Sequence, residues 1–341
     1  MATRMSVLPD ETDRAAVTLA FIGDVMLGRL VNDEIPKRTP ESFWGSTLPI
    51  LRGADAVFAN LECAITEHRS PWARRPKVFH FRADPAATRV LQAANIRYVS
   101  LANNHTLDFE EAGLLDTLRH LDAAGIKHAG AGRDLEAAMA PVLVEVGALK
   151  IGVMALTDNE RPFAARRDRP GTCYVPIRAQ PEILVAIEER TARLREQGVH
   201  LVVLSAHWGP NMVQRPPARF RSFAHAVLDR GVNLIHGHSA HLFQAVERCD
   251  HRLALYDTGD FLDDYAVDPQ LRNDWSFIFL VEVDAAGSRR LRMLPVRLTF
   301  ARVDLAVGDE FEAIRGRMRA LCKELETPVE PTGEGLELKL R

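Results

Sequence analysis

The run Tyr98-Val-Ser-Leu-Ala-Asn-Asn-His-Thr-Leu-Asp108 sets the reading of the whole chain. Its apolar start, Tyr98 to Ala102, predicts a short buried strand, and the residues from Glu110 onward predict a helix. Between them stand two amides, an imidazole and a carboxylate. A carboxamide oxygen can ligate a divalent metal, and the neighbouring imidazole can serve as acid or base. At the carboxyl end of a strand, both would project into the crevice where open α/β sheets bind ligands. Alone, the run reads equally well as an Asn-rich turn leading into a helix. Four further strand ends of the same character weigh against that alternative.

Working outward, Ala16 to Gly23 is a continuous apolar strand ending at Asp24, and Ala54 to Ala59 ends at Asn60-Leu-Glu62. His200 to Ser205 runs into His207-Trp-Gly209, and Val232 to Ile235 into His236-Gly-His238-Ser-Ala-His241. Apolar runs of this kind suit a sheet covered on both faces. Helices are expected at Pro85 to Ala94, Glu110 to Ala124, Pro181 to Gln197, Pro217 to Arg230 and Asp309 to Leu325. Hairpins are expected at 142–156, 244–256 and 275–300. Strands that alternate with helices and later pair as hairpins predict an α/β fold of mixed sheets in a sandwich with helices outside. Domain organisation follows: an N-terminal tail over 1–15, a single domain over 16–326 and a mobile C-terminal tail over 327–341.

Two long loops, Thr66 to Asp84 and Thr157 to Pro176, carry Arg69, Arg74, Arg75, Lys77 and Arg161, Arg166, Arg167, Arg169. They read first as solvated surface, with capture of a carboxylate or phosphate as the alternative. Long loops in compact domains are commonly functional, so both should rim the site. The 341 residues carry a net charge of −3, which leaves no footprint for nucleic acid. No apolar run reaches bilayer length and no signal peptide opens the chain, so neither a membrane anchor nor export is expected and a cytoplasmic location is. The four cysteines are scattered without CxxC spacing, which suggests neither a disulfide framework nor a zinc cluster.

Set side by side, the strand ends supply Asp24, Glu62, Asn104 with His105, His207, and His238 with His241. This mixture of oxygen and imidazole donors suits two cations sharing a carboxylate. Phe21-Ile-Gly-Asp24-Val-Met-Leu, Asn60-Leu-Glu62, Ala102-Asn-Asn104-His105-Thr-Leu-Asp108, His207-Trp-Gly209 and Gly237-His238-Ser-Ala-His241-Leu-Phe-Gln244 resemble the capsule-synthesis CapA, or poly-γ-glutamate synthesis PgsA, family. That family is similar to the calcineurin-like metallophosphatases. The resemblance runs from about Val17 to Phe261. It implies a four-layer sandwich, two mixed β-sheets flanked by helices, with a dinuclear centre of two divalent metal ions (Mn, Fe, Zn or Mg).

Carried over, Asp24 and His241 would bind one metal, Glu62 would bridge, and Asn104, His207 and His238 would bind the other. His105 would stay off the metals and act on substrate, oriented by Asp108. Arg29, Trp208, Arg75 and Arg167 are the candidates for substrate contact. Met26 stands where the phosphatases place a histidine, leaving the first metal one ligand short. Ser239-Ala240, Asn211-Met212 and the acidic Tyr256-Asp257-Thr-Gly259-Asp260-Phe261 also depart from the relatives. The resemblance implies a metal-dependent hydrolase acting on an anionic small molecule or a peptide or polyglutamate-type substrate. Metal-dependent peptide epimerisation, with a histidine moving the proton at Cα, is one alternative. A non-catalytic metal-binding partner in polymer synthesis is the other.

Overall fold

The computed structural model describes residues 16–178 and 180–341; the expected tail over 1–15 lies outside the described residues. The strands that carry motifs are mostly apolar and almost wholly buried because both of their faces are covered. Along Val17–Val25, Leu19 and Phe21 face one way and Ala20 and Ile22 the other, the period-two alternation of a pleated strand. Ala20 and Ile22 join Val57, Val99, Leu51, Leu91 and Leu121 in an apolar layer against the helices Leu48–Gly53, Ala87–Ala93 and Glu110–Ala123. Leu19 and Phe21 join Phe58, Tyr98, Ile151, Val153, Leu201, Val203 and Leu234 in a second layer between two sheets. Val202, Leu204 and Ile235 face a third layer against the helices Pro181–Glu196 and Ala218–Leu228. The order is therefore helix, sheet, sheet, helix: the four-layer arrangement.

The larger sheet is mixed. Val17–Val25 pairs in parallel with Ala56–Leu61, which pairs in parallel with Ile96–Ser100. On its other side Val17–Val25 runs antiparallel to Trp275–Asp284, which forms a long hairpin with Gly287–Thr299. In the smaller sheet, Leu201–His207 lies parallel to both Leu149–Thr157 and Leu234–His238. All the parallel motif strands thus present their carboxyl ends along one shared edge, with Asp24, Glu62, His207 and His238 on them.

After Arg252–Leu255 the chain leaves the smaller sheet and crosses to the larger one, where Asp260–Leu262 pairs in parallel with Val17–Val25. Two glycines make this crossing possible. A Cβ on Gly237 would lie 2.0 Å from the Tyr256 carbonyl oxygen, and one on Gly23 would lie 1.7 Å from that of Gly259. The sheets are also tied where His236 Nε2 donates to the Ile22 carbonyl at 2.9 Å.

The region after residue 326 corrects the sequence expectation. Leu336–Lys339 pairs antiparallel with Gly287–Thr299 and carries Glu330–Pro331 on its outer side. Leu336, Leu338 and Leu340 alternate into the inter-sheet layer, and their burial holds the segment in place.

Candidate metal centre

Asp24, Glu62, His207 and His238 are at most 1% exposed. His105 and His241 keep 7% and 15% of their side-chain surface, so solvent reaches the cluster past these two imidazoles. One donor atom each from Asp24, His207 and His238 lies within 4.8 Å of the others, and the same holds for Asp24, Glu62, His241 and Asp260. The carboxylate common to both groups is Asp24, whereas the family resemblance gives the bridging role to Glu62. Asp24 is centrally placed because its strand is flanked by the strands bearing Glu62 and Asp260.

A relay of amides fixes Asp24. Asn103 Nδ2 donates to Asn60 Oδ1 at 3.0 Å, and Asn60 Nδ2 donates to Asp24 Oδ1 at 2.8 Å. Asn103 Oδ1 also accepts from the His105 backbone N–H and the Thr106 hydroxyl, which shapes the turn after Ala102. Of the two adjacent asparagines, Asn103 is thus the scaffold. Asn104 Oδ1 is buried without a hydrogen-bond partner, as are Asp24 Oδ2, Glu62 Oε1 and Asp260 Oδ2. Burying such oxygens without partners is costly unless a cation satisfies them. The donor set, carboxylates and carboxamide with imidazoles, therefore fits divalent cations.

The electrostatics agree. Burial first, then the neighbouring carboxylates, raises Asp24 and Glu62 well above the usual carboxylate range, and burial followed by Asp263 and Asp257 does the same to Asp260. Burial pushes His207 and His238 well below their ordinary value, keeping them neutral as ligands must be. Burial also opposes the charge on His241, yet Glu62 and Asp24 raise it.

His105 and Asp108 form a separate pair. His105 Nδ1 lies 2.6 Å from Asp108 Oδ2, which also accepts the Phe81 N–H at 2.7 Å. The ring stacks on Phe81 at 3.9 Å, and Nε2 points toward Glu62 Oε1, 3.8 Å away. Burial raises Asp108 to about 7 against the pull of Lys77, while burial and then Lys77 hold His105 well below its ordinary value. Lys77, not an arginine, is the loop cation that reaches inward: Nζ donates to the Asn104 carbonyl at 2.9 Å and lies 3.4 Å from Asp108 Oδ1.

Both long loops lie at this edge. The first supplies Lys77 and Phe81. The second contributes Asn159, whose Nδ2 donates to Ser239 Oγ at 3.0 Å, and Phe163, packed edge-on against Trp72 at 4.8 Å. Of the four substrate-contact candidates, Arg29 sits at the rim, paired with Asp264 at 3.3 Å and 5.7 Å from the Phe81 ring centre. Arg75 and Arg167 are exposed. Trp208 is a correction. It is buried, donates to the Tyr256 carbonyl at 2.8 Å and packs on Phe220, because it turns to the helix side of the sheet while His207 turns to the cluster.

Sequence reasoning passes over Asn60, Lys77 and Asp260. Asn60 stands within a quoted motif near a strand end, which is an available signal; Asp260 opens its strand, and Lys77 has no signal separating it from its basic neighbours. A cavity of about 580 Å³, lined among others by Thr18, Leu280, Arg292 and Phe311, lies at the opposite end of Val17–Val25 and shares no residue with the cluster.

Residues 18–265 match the family described as bacterial capsule synthesis protein PGA_cap. A probable polyglutamine synthesis accessory protein of Mycobacterium tuberculosis is 32% identical over 314 residues, covering 88% of this chain and 82% of that one. The PGA biosynthesis protein CapA of Bacillus subtilis is 28% identical over 250 residues, 73% of this chain and 63% of the relative. Among solved structures, a hypothetical protein from Thermus thermophilus has 16% identity and a TM-score of 0.47, covering 83% of this chain and all of its own. The sulfate thiohydrolase SoxB from Thermus thermophilus has 11% identity and a TM-score of 0.44, covering 92% of this chain and 61% of that one. On the extent of the family match and of the mycobacterial relative, the chain belongs to the bacterial capsule synthesis protein (PGA_cap, CapA) family.

Proposed function

We propose that this protein is a metal-dependent hydrolase with a dinuclear site, acting on an anionic peptide or polyglutamate-type substrate or on a phosphoester. The observation that carries this reading is the set of buried, unpartnered oxygens of Asp24 and Glu62 gathered with three imidazoles, beside an independent histidine–aspartate pair whose turn also buries an unpartnered Asn104 oxygen. Asp24, Glu62 and His241 would hold one cation; Asp24, Asn104, His207 and His238 the other. Divalent cations at these positions supply Lewis acidity toward a carbonyl or phosphoryl oxygen and favour ionisation of water.

The chain's own residues do the rest. Asp108 accepts from Nδ1 of His105 and fixes the ring, so Nε2 is the atom free to take or give a proton at the cluster's mouth. Phe81 covers one face of that ring and excludes water from it. Lys77 beside Asp108 and Arg29 beside Phe81 place positive charge near the His105 pair, where a carboxylate-rich or phosphorylated substrate would approach. A polyglutamate-type substrate fits this charge and the PGA-biosynthesis name of the Bacillus subtilis relative.

The test is metal analysis of the purified protein, followed by assay on γ-linked glutamate oligomers and on an activated phosphoester. Cation-dependent cleavage of either supports the proposal. Bound metal with uptake of solvent deuterium at Cα and no cleavage would replace hydrolysis by epimerisation. Absence of tightly bound metal would leave a binding or assembly role.

A further inference from the structure

The crossing from Leu255 to Asp260 delivers a carboxylate that the motif strands themselves do not carry. Asp260 pairs in register with Asp24, and the Asp24 N–H donates to the Gly259 carbonyl at 2.9 Å. Asp260 Oδ1 lies 2.8 Å from His241 Nδ1, while Oδ2 is buried with no partner. Had Asp260 only to orient His241, one oxygen would suffice and the other would remain buried and unsatisfied, a heavy desolvation cost for a carboxylate. Three carboxylates and one imidazole with donor atoms within 4.8 Å of one another could instead hold one cation together. Met26, two residues past Asp24, contributes nothing to it: its sulfur accepts the Gly28 N–H at 3.0 Å and its side chain is fully buried.

We infer that Asp260 is a ligand of the cation position formed by Asp24, Glu62 and His241, and that it biases this position toward a hard cation such as Mn²⁺. The position built on His207 and His238 is correspondingly the one that suits Zn²⁺. The inference rests on the metal reading given under Proposed function and adds a ligand and a division of labour to it. Anionic oxygens favour hard cations while imidazoles suit zinc, so the donor ratio at the two positions sets opposite preferences. The missing ligand on the first strand is thereby supplied by its neighbour in the sheet.

The experiment uses the full chain stripped with a chelator. Free Mn²⁺ is followed by electron paramagnetic resonance, and Zn²⁺ by competition with a colorimetric chelator, on wild type, Asp260→Asn and Asp260→Ala. Wild type is expected to bind one of each cation when both are supplied. Both variants should weaken Mn²⁺ binding by at least about tenfold, the lower end of what even an outer-shell change costs. Their Zn²⁺ stoichiometry at the histidine position should stay at one, which also reports that they are folded. Unchanged Mn²⁺ affinity in both variants would overturn the assignment of Asp260 while two cations in wild type left the metal centre standing. Joint loss of Zn²⁺ and Mn²⁺ would overturn the division into two positions. A wild type that binds neither cation would remove the metal centre altogether.

Discussion

The Nδ1 atoms of His207 and His238 face each other at 2.9 Å, both rings buried and both held neutral by burial. Two neutral imidazoles at this distance share one proton between them or turn both lone pairs toward a common cation. His238 Nε2 lies 2.9 Å from Ser205 Oγ, so His238 can keep its proton on the far nitrogen and leave Nδ1 free. That arrangement sets the ring for ligation. Replacing either histidine by Ala should lower the bound metal from two ions per chain to one, measured by elemental analysis after gel filtration. Retention of two ions in both variants would show that the pair is a plain hydrogen bond.

His105 separates binding from chemistry. Its ring is tied to Asp108 and stacked on Phe81, outside both donor groups. His105→Ala should leave metal content near wild type and reduce the catalytic rate by roughly two to four powers of ten, the reach of a general acid–base group. Asp108→Asn should cost less, because it only positions the imidazole. Metal analysis and kinetics on the same preparations decide; loss of metal from His105→Ala would make it a ligand.

Stability of the stripped protein should depend on pH with a definite sign. Burial raises Asp257 to about 7 and Asp263 to about 6 from an ordinary 3.8. The folded state therefore binds more protons than the unfolded chain from about pH 4 to 7, and these groups lose their stabilising contribution as pH rises through that window. His236, lowered by burial to about 4 from 6.5, acts oppositely, since it destabilises only while the unfolded chain is protonated and adds no slope above pH 6.5. Above that point the carboxyl groups and His241, which Glu62 and Asp24 raise above its ordinary value, act in the same direction. The melting temperature of chelated protein should thus fall as pH rises from about 6.5 through about 7, and saturating Mn²⁺ should flatten the fall by replacing protons as counter-charge. Parallel slopes with and without the cation would refute this.

Trp208 stands beside His207 in the chain but packs on Phe220 and Tyr256. Trp208→Ala should destabilise by about 3–5 kcal/mol, the cost of emptying a large core site. The fraction that stays folded should keep its KM. Denaturation curves and assays below the transition measure the two effects, and a raised KM at full stability would return Trp208 to the substrate.

How far the sequence foretells this site depends on where each side chain's surroundings come from. Asp24, Glu62, His207 and His238 end strands whose two faces are both covered, so their apolar runs announce the strand and its end together. Asp260 opens a strand of three residues whose register with Asp24 depends on a crossing between sheets, a long-range fact that no local pattern encodes. Lys77 differs from Arg74 and Arg75 only in the path of an irregular loop, which turns it toward Asn104 and leaves Arg75 exposed. At the C-terminal end, the alternation of Leu336, Leu338 and Leu340 is a legible strand signal, obscured by the Pro and Gly residues before it.

The two sheets meet across an apolar layer that is strong but indifferent to small sliding, since hydrophobic contact has no preferred direction. The donors drawn to Asp24 span that layer: Glu62 and Asp260 come from one sheet, His207 and His238 from the other. An ion held on both sides would work as a rivet, adding to the His236–Ile22 hydrogen bond in fixing the offset between the layers. It would also tie chain positions nearly two hundred residues apart, closing a loop whose entropy the unfolded chain would otherwise keep. Withdrawal of the ion should then register first as altered hydrogen exchange at the inter-sheet edges of Val17–Val25 and Leu234–His238, before any loss of secondary structure.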